Sequence, residues 1–274
     1  MPAQTILITG ASDGIGAACA RQLTAKGERV VLIGRSPQKT TALAQELGAP
    51  FHLANFTDLS QVHRLAAEVQ AAYSRIDVLA NNAGGIMGKR ELTRDGFEKT
   101  FQVNHLAPFL LTSLLLPTLI ASSAKVIQTS SIAARLTGKL NIDDLQNEKK
   151  YTPPKAYGDT KLANILFTTE LQRRYGPQGI TAVAFHPGNV ATNFASDTTH
   201  WIRFLYRTPL RRLIISPEQG GQHLTWLAEG TPGVTWTPGV YYENDKIARS
   251  NPQASDAGLA RQLWDRSVAM LNLA

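Results

Sequence analysis

Cysteine is almost absent from this sequence, since Cys19 is the only one among 274 residues. An intrachain disulfide is therefore excluded. Histidine is also sparse, and the six histidines show no spacing typical of metal ligands, so we expect no metal site. The chain reaches its first apolar run, residues 5–8, without a basic leader or a cleavage site. Together these absences predict a cytoplasmic protein without a signal peptide.

Charged side chains are missing from residues 106–124. A membrane-spanning helix needs about 20 mostly apolar residues, and this stretch approaches that length. It also contains Pro108, Pro117 and several serine and threonine residues. These features favour a helix buried inside an α/β protein or in a subunit interface, and we expect no transmembrane segment. Pairing of such a helix would give a homodimer or homotetramer, and a monomer is the alternative.

Acidic residues are fewer than basic ones, which leaves a net charge of +7. No nucleic-acid-binding motif accompanies this charge, and a solvated basic surface explains it, so we expect no nucleic-acid partner. Only residues 201–215 stand out, because arginines there alternate with aromatic and aliphatic side chains. This amphipathic segment is interpreted as a lid over a substrate site, a helix in contact with a membrane surface, or neither. The aromatic residues expected to line a substrate pocket are Trp201, Phe204 and Tyr206.

Short apolar runs alternate with longer helical ones along the whole chain. Strands are predicted at 5–9, 29–33, 50–54, 76–81, 125–129, 180–186 and about 239–242. Helices are predicted near 15–26, 37–47, 59–73, 94–120, 155–175, 217–228 and 255–271. Nearly continuous apolar strands separated by helices predict a parallel sheet covered on both faces. With right-handed crossovers this is an α/β, doubly wound, Rossmann-type fold in a single domain, 1–274, with a substrate-loop or lid segment at about 188–216.

A glycine-rich segment follows the first predicted strand and opens the first predicted helix. Glycines there allow a tight turn and a close approach of the backbone to a pyrophosphate, which then lies at the positive end of the helix. The spacing differs from the G-x-G-x-x-G fingerprint, so by itself it also fits an ordinary strand-to-helix turn. The residues expected to bind a dinucleotide are Gly10, Ser12, Asp13, Gly14, Ile15 and Gly16.

The end of the second strand distinguishes the two nicotinamide nucleotides. A ribose 2′-hydroxyl is commonly held by an acidic residue there, whereas a 2′-phosphate needs a cation. This strand continues into Gly34, Arg35 and Ser36, and it has no acid. The guanidinium of Arg35 and the hydroxyl of Ser36 therefore favour NADP(H) over NAD(H).

Three residues, Ser131, Tyr157 and Lys161, form a set that could supply a proton to the carbonyl group of a substrate. Tyr157 and Lys161 share one face of a predicted helix, and Ser131 follows the fifth predicted strand. A free tyrosine has a pKa of about 10, which is too high for a base at neutral pH. A neighbouring ammonium, together with a positively charged nicotinamide, lowers that pKa by favouring the phenolate. Ser131 would donate a hydrogen bond to the reacting oxygen.

In this order, the motifs resemble those of the short-chain dehydrogenase/reductase family over almost the full length of the chain. The matching residues are 9–16, 81–84, Asn104, Ser131, Tyr157, Lys161, Pro187, Gly188 and Thr192. Residues 144–146, 161–167 and 186–188 make the chain similar to the retinol dehydrogenase-like branch of that family.

The resemblance implies a role for each matching residue. Tyr157 would be the acid/base, Ser131 would orient the carbonyl, and Lys161 would bind the nicotinamide ribose. Asn104 would hold a water molecule in the proton relay. The other residues expected to bind the cofactor are Asn82, Ala83 and Gly84 on the adenosine ribose and pyrophosphate side, and Pro187, Gly188, Val190 and Thr192 at the carboxamide. Two departures from the family pattern are Asn55, where many members carry an acid near the adenine, and Asp13, where many NADP-preferring members carry a basic residue.

The preferred hypothesis is an NADP(H)-dependent oxidoreductase that interconverts a hydrophobic aldehyde or ketone and the corresponding alcohol. The alternative is a catalytically silent NADP(H)-binding regulator or scaffold of the same fold. The complete set of Asn104, Ser131, Tyr157 and Lys161 argues against that alternative. Reduction of a carbon–carbon double bond, as in the related protochlorophyllide reductases, is disfavoured because the chain has no cysteine near the site. Cys19 lies too close to the glycine turn for that role. The sequence leaves the identity of the substrate and the physiological direction open.

Overall fold

One sheet of eight strands organises the part of the protein that the structure describes. The computed structural model describes residues 3–188 and 215–273. The strands are β1 Thr5–Thr9, β2 Arg29–Gly34, β3 Phe51–Leu53, β4 Val78–Asn81, β5 Lys125–Thr129, β6 Thr181–His186, β7 Tyr241–Glu243 and β8 Lys246–Ile247. Their order is β3-β2-β1-β4-β5-β6-β7-β8. All neighbouring strands are parallel except β7 and β8.

Helices connect these strands. They are α1 Gly14–Ala25, α2 Pro37–Leu47, α3 Leu59–Ala72, α4 Lys99–Ala121, α5 Ala133–Leu136, α6 Pro153–Tyr175, α7 Pro217–Glu229 and α8 Ala257–Met270. Within α4, residues Gln102–Leu106 form a π-helical turn. Side chains satisfy the free backbone amides at several helix starts. These capping residues include Asp13 at α1, Ser36 at α2, Asp58 at α3 and Thr152 at α6.

Alternate residues of the central strands pack on opposite faces of the sheet, as a parallel sheet covered on both sides requires. Leu7, Leu79 and Val126 pack with residues of α3, α4 and α6. Their neighbours in sequence, such as Ile8 and Ile127, pack with residues of α1 and α7 on the other face. The direction of winding reverses between β1 and β4, which opens a crevice at the carboxyl ends of the strands.

The doubly wound, Rossmann-type fold predicted from the sequence is confirmed, and the predicted strands and helices occur within a few residues of their expected bounds. The helix predicted near 94–120 starts later, at Lys99. The reason is Glu98, whose carboxylate accepts hydrogen bonds of 2.8 Å from the amides of Thr100 and Phe101 and thereby caps the helix. Two short elements, α5 and β8, were not predicted. Almost all of the lid segment predicted at 188–216 lies outside the described residues.

Within residues 3–188 and 215–273, α4 is the one helix that is long and apolar enough to cross a membrane. In the fold, however, 67% of the most apolar 18-residue stretch of α4 is buried inside the protein. Leu110, Leu111 and Leu115 belong to the core on one face of the sheet. Because a core helix meets the same criteria of length and composition, α4 is weak evidence for a membrane span.

Gly221 in α7 sets the distance to α1. A Cβ at this position would lie 2.8 Å from the Cβ of Ala18 and 2.9 Å from the backbone nitrogen of Cys19. We expect Gly221→Ala to lower the free energy of unfolding by about 1–3 kcal/mol, because the two helices must move apart. Urea denaturation measures this change.

The control is Gly258→Ala in α8, where the new methyl group would meet the side chain of Asp256 at 3.2 Å. That contact is with the Oδ1 of Asp256, which caps α8 and would have to shift by a few tenths of an ångström, so this variant is expected to change the free energy of unfolding by less than about 1 kcal/mol. Equal stabilities of the two variants would contradict the close contact between α1 and α7.

Candidate active site

The carboxyl ends of β1, β4, β5 and β6 lie side by side at one edge of the sheet. The glycine turn follows β1, residues 82–84 follow β4, Ser131 follows β5, and residues 187–188 follow β6. Residues far apart in the sequence therefore converge on one crevice, which is where doubly wound sheets bind their ligands.

The turn after β1 depends on its glycines. Gly10 and Gly14 have φ angles of +66° and +52°, in the region that favours glycine. A Cβ on Gly16 would lie 2.4 Å from the carbonyl oxygen of Gly10. Asp13 caps α1, because its Oδ1 accepts a hydrogen bond of 2.8 Å from the amide of Gly14. The first amides of a helix have no partners within it, so the start of α1 fits the pyrophosphate of a dinucleotide.

Asn82 braces this turn from the end of β4. Its Nδ2 donates to the carbonyl oxygen of Thr9 at 3.0 Å, and its backbone amide donates to the hydroxyl of Thr9 at 2.9 Å. Its Oδ1 accepts a hydrogen bond of 3.3 Å from the hydroxyl of Thr129. The amide of Ala83 donates to the hydroxyl of Thr9 as well. Asn82 and Ala83 therefore fix the ends of β1, β4 and β5 relative to one another.

The end of β2 presents polar groups to the same crevice. Arg35 is exposed. The Oγ of Ser36 caps α2 by accepting from the amide of Lys39 at 3.4 Å, and it keeps its own proton to donate. Ser12 lies beside this strand end, because a Cβ on Gly34 would be 3.1 Å from the Oγ of Ser12. The structure thus brings the glycine turn and the end of β2 together.

Asn55, expected near the adenine, lies in the turn after β3. Its Oδ1 accepts from the amide of Thr57 at 3.2 Å, and its own amide donates to the Oε1 of Gln61 at 3.0 Å. The nearby Asp58 caps α3 and forms an ion pair of 3.0 Å with Arg94. These are the contacts of turn and capping residues, and the role of Asn55 toward an adenine stays a prediction.

Ser131 and Tyr157 share a hydrogen bond. Ser131 lies in the turn between β5 and α5, where its Oγ accepts from the amide of Ala133 at 3.2 Å. Tyr157 lies in the second turn of α6, and only 6% of it is exposed. Burial raises the pKa of the Tyr157 phenol, and the hydrogen bond with Ser131 lowers it by a smaller amount. The free protein therefore holds this phenol in its protonated form.

Lys161 lies one helical turn beyond Tyr157, and only 2% of it is exposed. Its Nζ donates to the carbonyl oxygen of Thr129 at 2.8 Å and lies 5.5 Å from the centre of the Tyr157 ring. Burial lowers the pKa of Lys161 to about 7. An ammonium at about this distance favours the ionised form of a neighbouring acid. Lys161 is therefore placed to stabilise the phenolate of Tyr157.

The π-helical turn of α4 positions Asn104. Such turns occur frequently at functional sites. The Nδ2 of Asn104 donates to the carbonyl oxygen of Gly85 at 2.9 Å and to the hydroxyl of Thr160 at 3.2 Å. Its Oδ1 accepts from the amide of Gly85 at 2.8 Å. Asn104 therefore joins the loop after β4 to α6, beside Gly84 and Lys161.

Two residues to which the sequence assigned no role complete this arrangement. Thr129 offers its carbonyl oxygen to Lys161, and Asn164 donates to the same oxygen through its Nδ2 at 3.3 Å. The available signal was the spacing of Lys161 and Asn164, which places both on one face of α6. The hydroxyl of Ser130 donates to the backbone carbonyl of Lys161 at 2.7 Å, so this serine supports α6.

A further group borders the site at β7 and was also missed. Tyr241 lies close enough to Tyr157 for the two phenols to interact electrostatically. The hydroxyl of Tyr241 donates to Glu243 at 2.9 Å, and Glu243 lies 3.7 Å from the guanidinium of Arg135 in α5. No sequence motif marks these residues, because the pairing of β7 with β6 alone brings them to the site.

The structure describes only some of the remaining residues that are expected to bind the cofactor, namely those directly after β6. Pro187 and Gly188 are described, and Gly188 turns the chain with a φ angle of +87°. Val190 and Thr192, together with Trp201, Phe204 and Tyr206, lie outside the described residues. In the part of the chain that the structure does describe, no three His, Cys, Asp or Glu side chains are grouped to hold a metal ion.

A Rossmann-type sheet with these groups at its carboxyl edge defines a class of protein, the nicotinamide-dependent oxidoreductases. The family model for short chain dehydrogenase matches residues 4–203. The chain therefore belongs to the short-chain dehydrogenase/reductase family, as its motifs indicated, and it is an oxidoreductase of the retinol dehydrogenase-like branch. Members of this family use NAD or NADP as the cofactor.

The similarity to individual relatives extends over almost the whole chain. The chain is 40% identical to a protein of Streptomyces sp. (strain C5) named as a candidate daunorubicin C-13 ketoreductase, DnrU, over 98% of this chain and 93% of that protein. It is 35% identical to retinol dehydrogenase 13 of Homo sapiens, over 100% of this chain and 86% of that protein. A solved structure of an uncharacterised Mycobacterium paratuberculosis protein is similar with a TM-score of 0.77 and 33% identity, covering 98% of this chain and 93% of that one.

Gly84 has no room for a side chain. A Cβ there would lie 2.7 Å from the Oδ1 of Asn104 and 3.3 Å from the Nζ of Lys161, so both groups would have to move. A misplacement of about 1 Å can cost about 100-fold in rate. We expect Gly84→Ala to lose turnover by about this factor while the protein stays folded.

The rate of oxidation of the reduced nicotinamide cofactor with a carbonyl substrate measures turnover, and the thermal melting curve measures folding, with Gly258→Ala as the control. A Gly84→Ala variant with wild-type turnover would show that the placement of Asn104 and Lys161 does not limit the reaction.

Proposed function

We propose that this protein is an NADP(H)-dependent oxidoreductase that interconverts a hydrophobic aldehyde or ketone and the corresponding alcohol, with Tyr157 as the acid/base. The observation that carries the proposal is the pair of groups next to this buried phenol. The hydroxyl of Ser131 shares a hydrogen bond with it, and the ammonium of Lys161 lies 5.5 Å from its ring. The turn that fits a pyrophosphate lies at the same edge of the sheet.

A carbonyl reduction needs a hydride at the carbon and a proton at the oxygen, and these residues account for the proton. A nicotinamide held at this edge of the sheet would supply the hydride chemistry at the carbonyl carbon, in either direction. The phenol of Tyr157 donates its proton to the carbonyl oxygen, which completes the alcohol. The hydroxyl of Ser131 donates a hydrogen bond to that oxygen and stabilises the negative charge that develops there. Burial favours the protonated phenol, which is the form that reduction requires.

Lys161 acts on the tyrosine after the proton has left. The phenolate is stabilised by the nearby ammonium, and the hydrogen bond to Thr129 keeps that ammonium in place. The phenolate in turn raises the pKa of Lys161, which opposes the lowering caused by burial. In the oxidative direction the same interaction makes Tyr157 a base.

The preference for NADP(H) rests on the end of β2. The sequence has no acid there, and Arg35 is exposed at the carboxyl edge, with the Ser36 hydroxyl beside it. Guanidinium groups bind phosphate through paired hydrogen bonds, and a hydroxyl with a free proton adds another donor. A 2′-phosphate therefore has two partners here, whereas a 2′-hydroxyl has no carboxylate of this strand end to receive it.

The names of the relatives support the substrate class. One is named for the reduction of a ketone in daunorubicin, and others are named for the oxidation of retinol. Both names describe a carbonyl and alcohol pair, the chemistry that Ser131 and Tyr157 fit.

We expect Tyr157→Phe to reduce turnover by at least about 100-fold, because it removes the proton donor and keeps the ring. The measurement is NADPH oxidation with medium-chain and long-chain aldehydes, aromatic ketones, quinones, retinal and daunorubicin. The affinity for NADPH, measured by fluorescence titration, is expected to change little. Tyr175→Phe is the control, since Tyr175 packs against Trp264 with its ring, 5.9 Å between centroids, and this contact is retained.

Turnover that survives in Tyr157→Phe would contradict the proposed role of the phenol. NADPH binding without turnover of any of these substrates would instead favour the regulator or scaffold.

We expect the wild-type protein to bind NADPH more tightly than NADH, and Arg35→Ala to weaken NADPH binding by about tenfold to 100-fold, as the loss of a charge-assisted contact implies. NADH binding is expected to stay within about twofold, because NADH carries no phosphate at this position. Isothermal titration calorimetry measures both Kd values. Arg261→Ala, an exposed arginine in α8, is the control. An unchanged ratio of the two Kd values in Arg35→Ala would disprove the preference.

A further inference from the structure

The side chain of Asn251 holds the end of α5, the short helix that follows Ser131. Its Nδ2 donates to the carbonyl oxygen of Ala134 at 2.6 Å and to that of Gly138 at 3.0 Å. The last carbonyl groups of a helix have no partners within it, so Asn251 supplies hydrogen bonds that the end of α5 lacks. A helix of four residues is too short to be stable alone, and α5 therefore depends on such contacts.

Two further contacts come from the same part of the chain. The Oε1 of Gln253 accepts from the backbone amide of Leu140 at 3.0 Å, and its Nε2 donates to the carbonyl oxygen of that residue at 2.9 Å. The guanidinium of Arg135 donates to the carbonyl oxygen of Arg249 at 3.3 Å. Residues 249–253, which we call the C-terminal strap, therefore hold α5 and the residues directly after it.

The residues after α5 also lie against α6, at the turn that carries Tyr157. A Cβ on Gly158 would lie 2.7 Å from the backbone nitrogen of Gly138, so the two backbones are in close contact. The backbone amide of Lys139 donates to the Oδ1 of Asp159 at 2.7 Å. This stretch is therefore held between the C-terminal strap on one side and the residues directly after Tyr157 on the other.

Ser131 is attached to the start of α5. Its Oγ accepts from the backbone amide of Ala133 at 3.2 Å, and its carbonyl oxygen accepts from the amide of Ala134 at 3.0 Å. A shift of α5 therefore shifts Ser131, whereas Tyr157 is held separately by the long helix α6. The hydrogen bond between Ser131 and Tyr157 consequently depends on where the C-terminal strap holds α5.

We propose that Asn251 and Gln253 are positioning residues for Ser131, because they hold α5 where the Ser131 hydroxyl can share a hydrogen bond with the Tyr157 phenol. The sequence assigned neither residue a role. The inference rests on the proposed function only for its effect on turnover, since the hydrogen bond is present in the free protein.

The first readout needs no substrate. The tyrosines of the full chain are labelled with carbon-13 at Cζ, whose chemical shift responds to the hydrogen bonds of the phenol. The chain has 7 tyrosines, and the resonance of Tyr157 is the one that is missing from Tyr157→Phe. We expect Ser131→Ala to move this resonance, because it removes the hydrogen bond. Asn251→Ala is expected to move it in the same direction by at least about half as much, since a hydrogen bond weakens steeply when its geometry is lost.

A double variant separates positioning from a merely structural role. In Ser131→Ala the hydrogen bond is already absent, so adding Asn251→Ala is expected to leave the Tyr157 resonance where Ser131→Ala alone puts it. Gln253→Ala is the second variant, and we expect it to move the resonance in the same direction as Asn251→Ala. The control is Gln70→Ala, because the side-chain amide of Gln70 also donates to a helix carbonyl oxygen, that of Leu114, at 2.9 Å. This control is expected to leave the resonance unchanged.

Turnover is the second readout. In carbonyl reduction we expect Asn251→Ala to lower kcat by about tenfold, because a misplaced Ser131 stabilises the developing charge less well. The Kd for NADPH is expected to stay within about twofold, because the phosphate-binding turn is not altered. In the Ser131→Ala background the same substitution is expected to change kcat by less than about twofold, since residues that act as a unit do not have additive effects.

The outcomes distinguish this inference from the proposed function. Thermal melting establishes which variants are folded. A Tyr157 resonance at the wild-type position in folded Asn251→Ala or Gln253→Ala would overturn the inference, whatever the turnover. A further shift caused by Asn251→Ala in the Ser131→Ala background would also overturn it, since Asn251 would then act on Tyr157 without Ser131. If the resonance moves as expected but the wild type reduces no carbonyl substrate, the proposed function is wrong and this inference stands.

Discussion

The burial of the Lys161 ammonium is the constraint on which the rest of the site depends. Only 2% of this residue is exposed, and a buried charge is costly unless hydrogen-bond acceptors replace the lost water. The carbonyl oxygen of Thr129 provides such an acceptor at 2.8 Å. Thr129 is the last residue of β5, and its hydroxyl donates to Asn82, which braces the glycine turn. One strand end therefore connects the residues proposed for catalysis with those proposed to hold the cofactor.

The surroundings of the ammonium follow from the same constraint. Asn164 donates to the carbonyl oxygen that accepts from Lys161, and the side-chain oxygen of Asn104 accepts from the backbone amide of Gly85. Gly84 lies next to both Asn104 and Lys161 and leaves no space for a side chain. A polar, closely packed shell of this kind fixes where the positive charge lies relative to Tyr157. In the proposed mechanism that position decides how readily the phenol gives up its proton.

Much of the fold and part of the site could be predicted because they depend on neighbouring residues. The turn at Gly10 and Gly14 requires positive φ angles, and the four-residue spacing of Tyr157 and Lys161 places them on one helical face. Other features depend on how distant segments meet. Asn251 and Ala134 are 117 residues apart, and Lys161 and Thr129 are 32 apart, so their contacts follow from the order and register of the strands. The elements α5 and β8 are too short to show a periodic pattern.

The central claim is that the ammonium of Lys161, held in place by Thr129, lowers the pKa of Tyr157 and so allows the phenolate to form. The most direct test is the pH dependence of kcat/KM for alcohol oxidation in the wild type and in Lys161→Met, at NADP⁺ concentrations shown by titration to be saturating. Oxidation needs the phenolate, so kcat/KM rises with pH to a plateau. The account predicts that loss of the ammonium moves this rise to higher pH by about one to three units. A rise at the same pH in both proteins would contradict it.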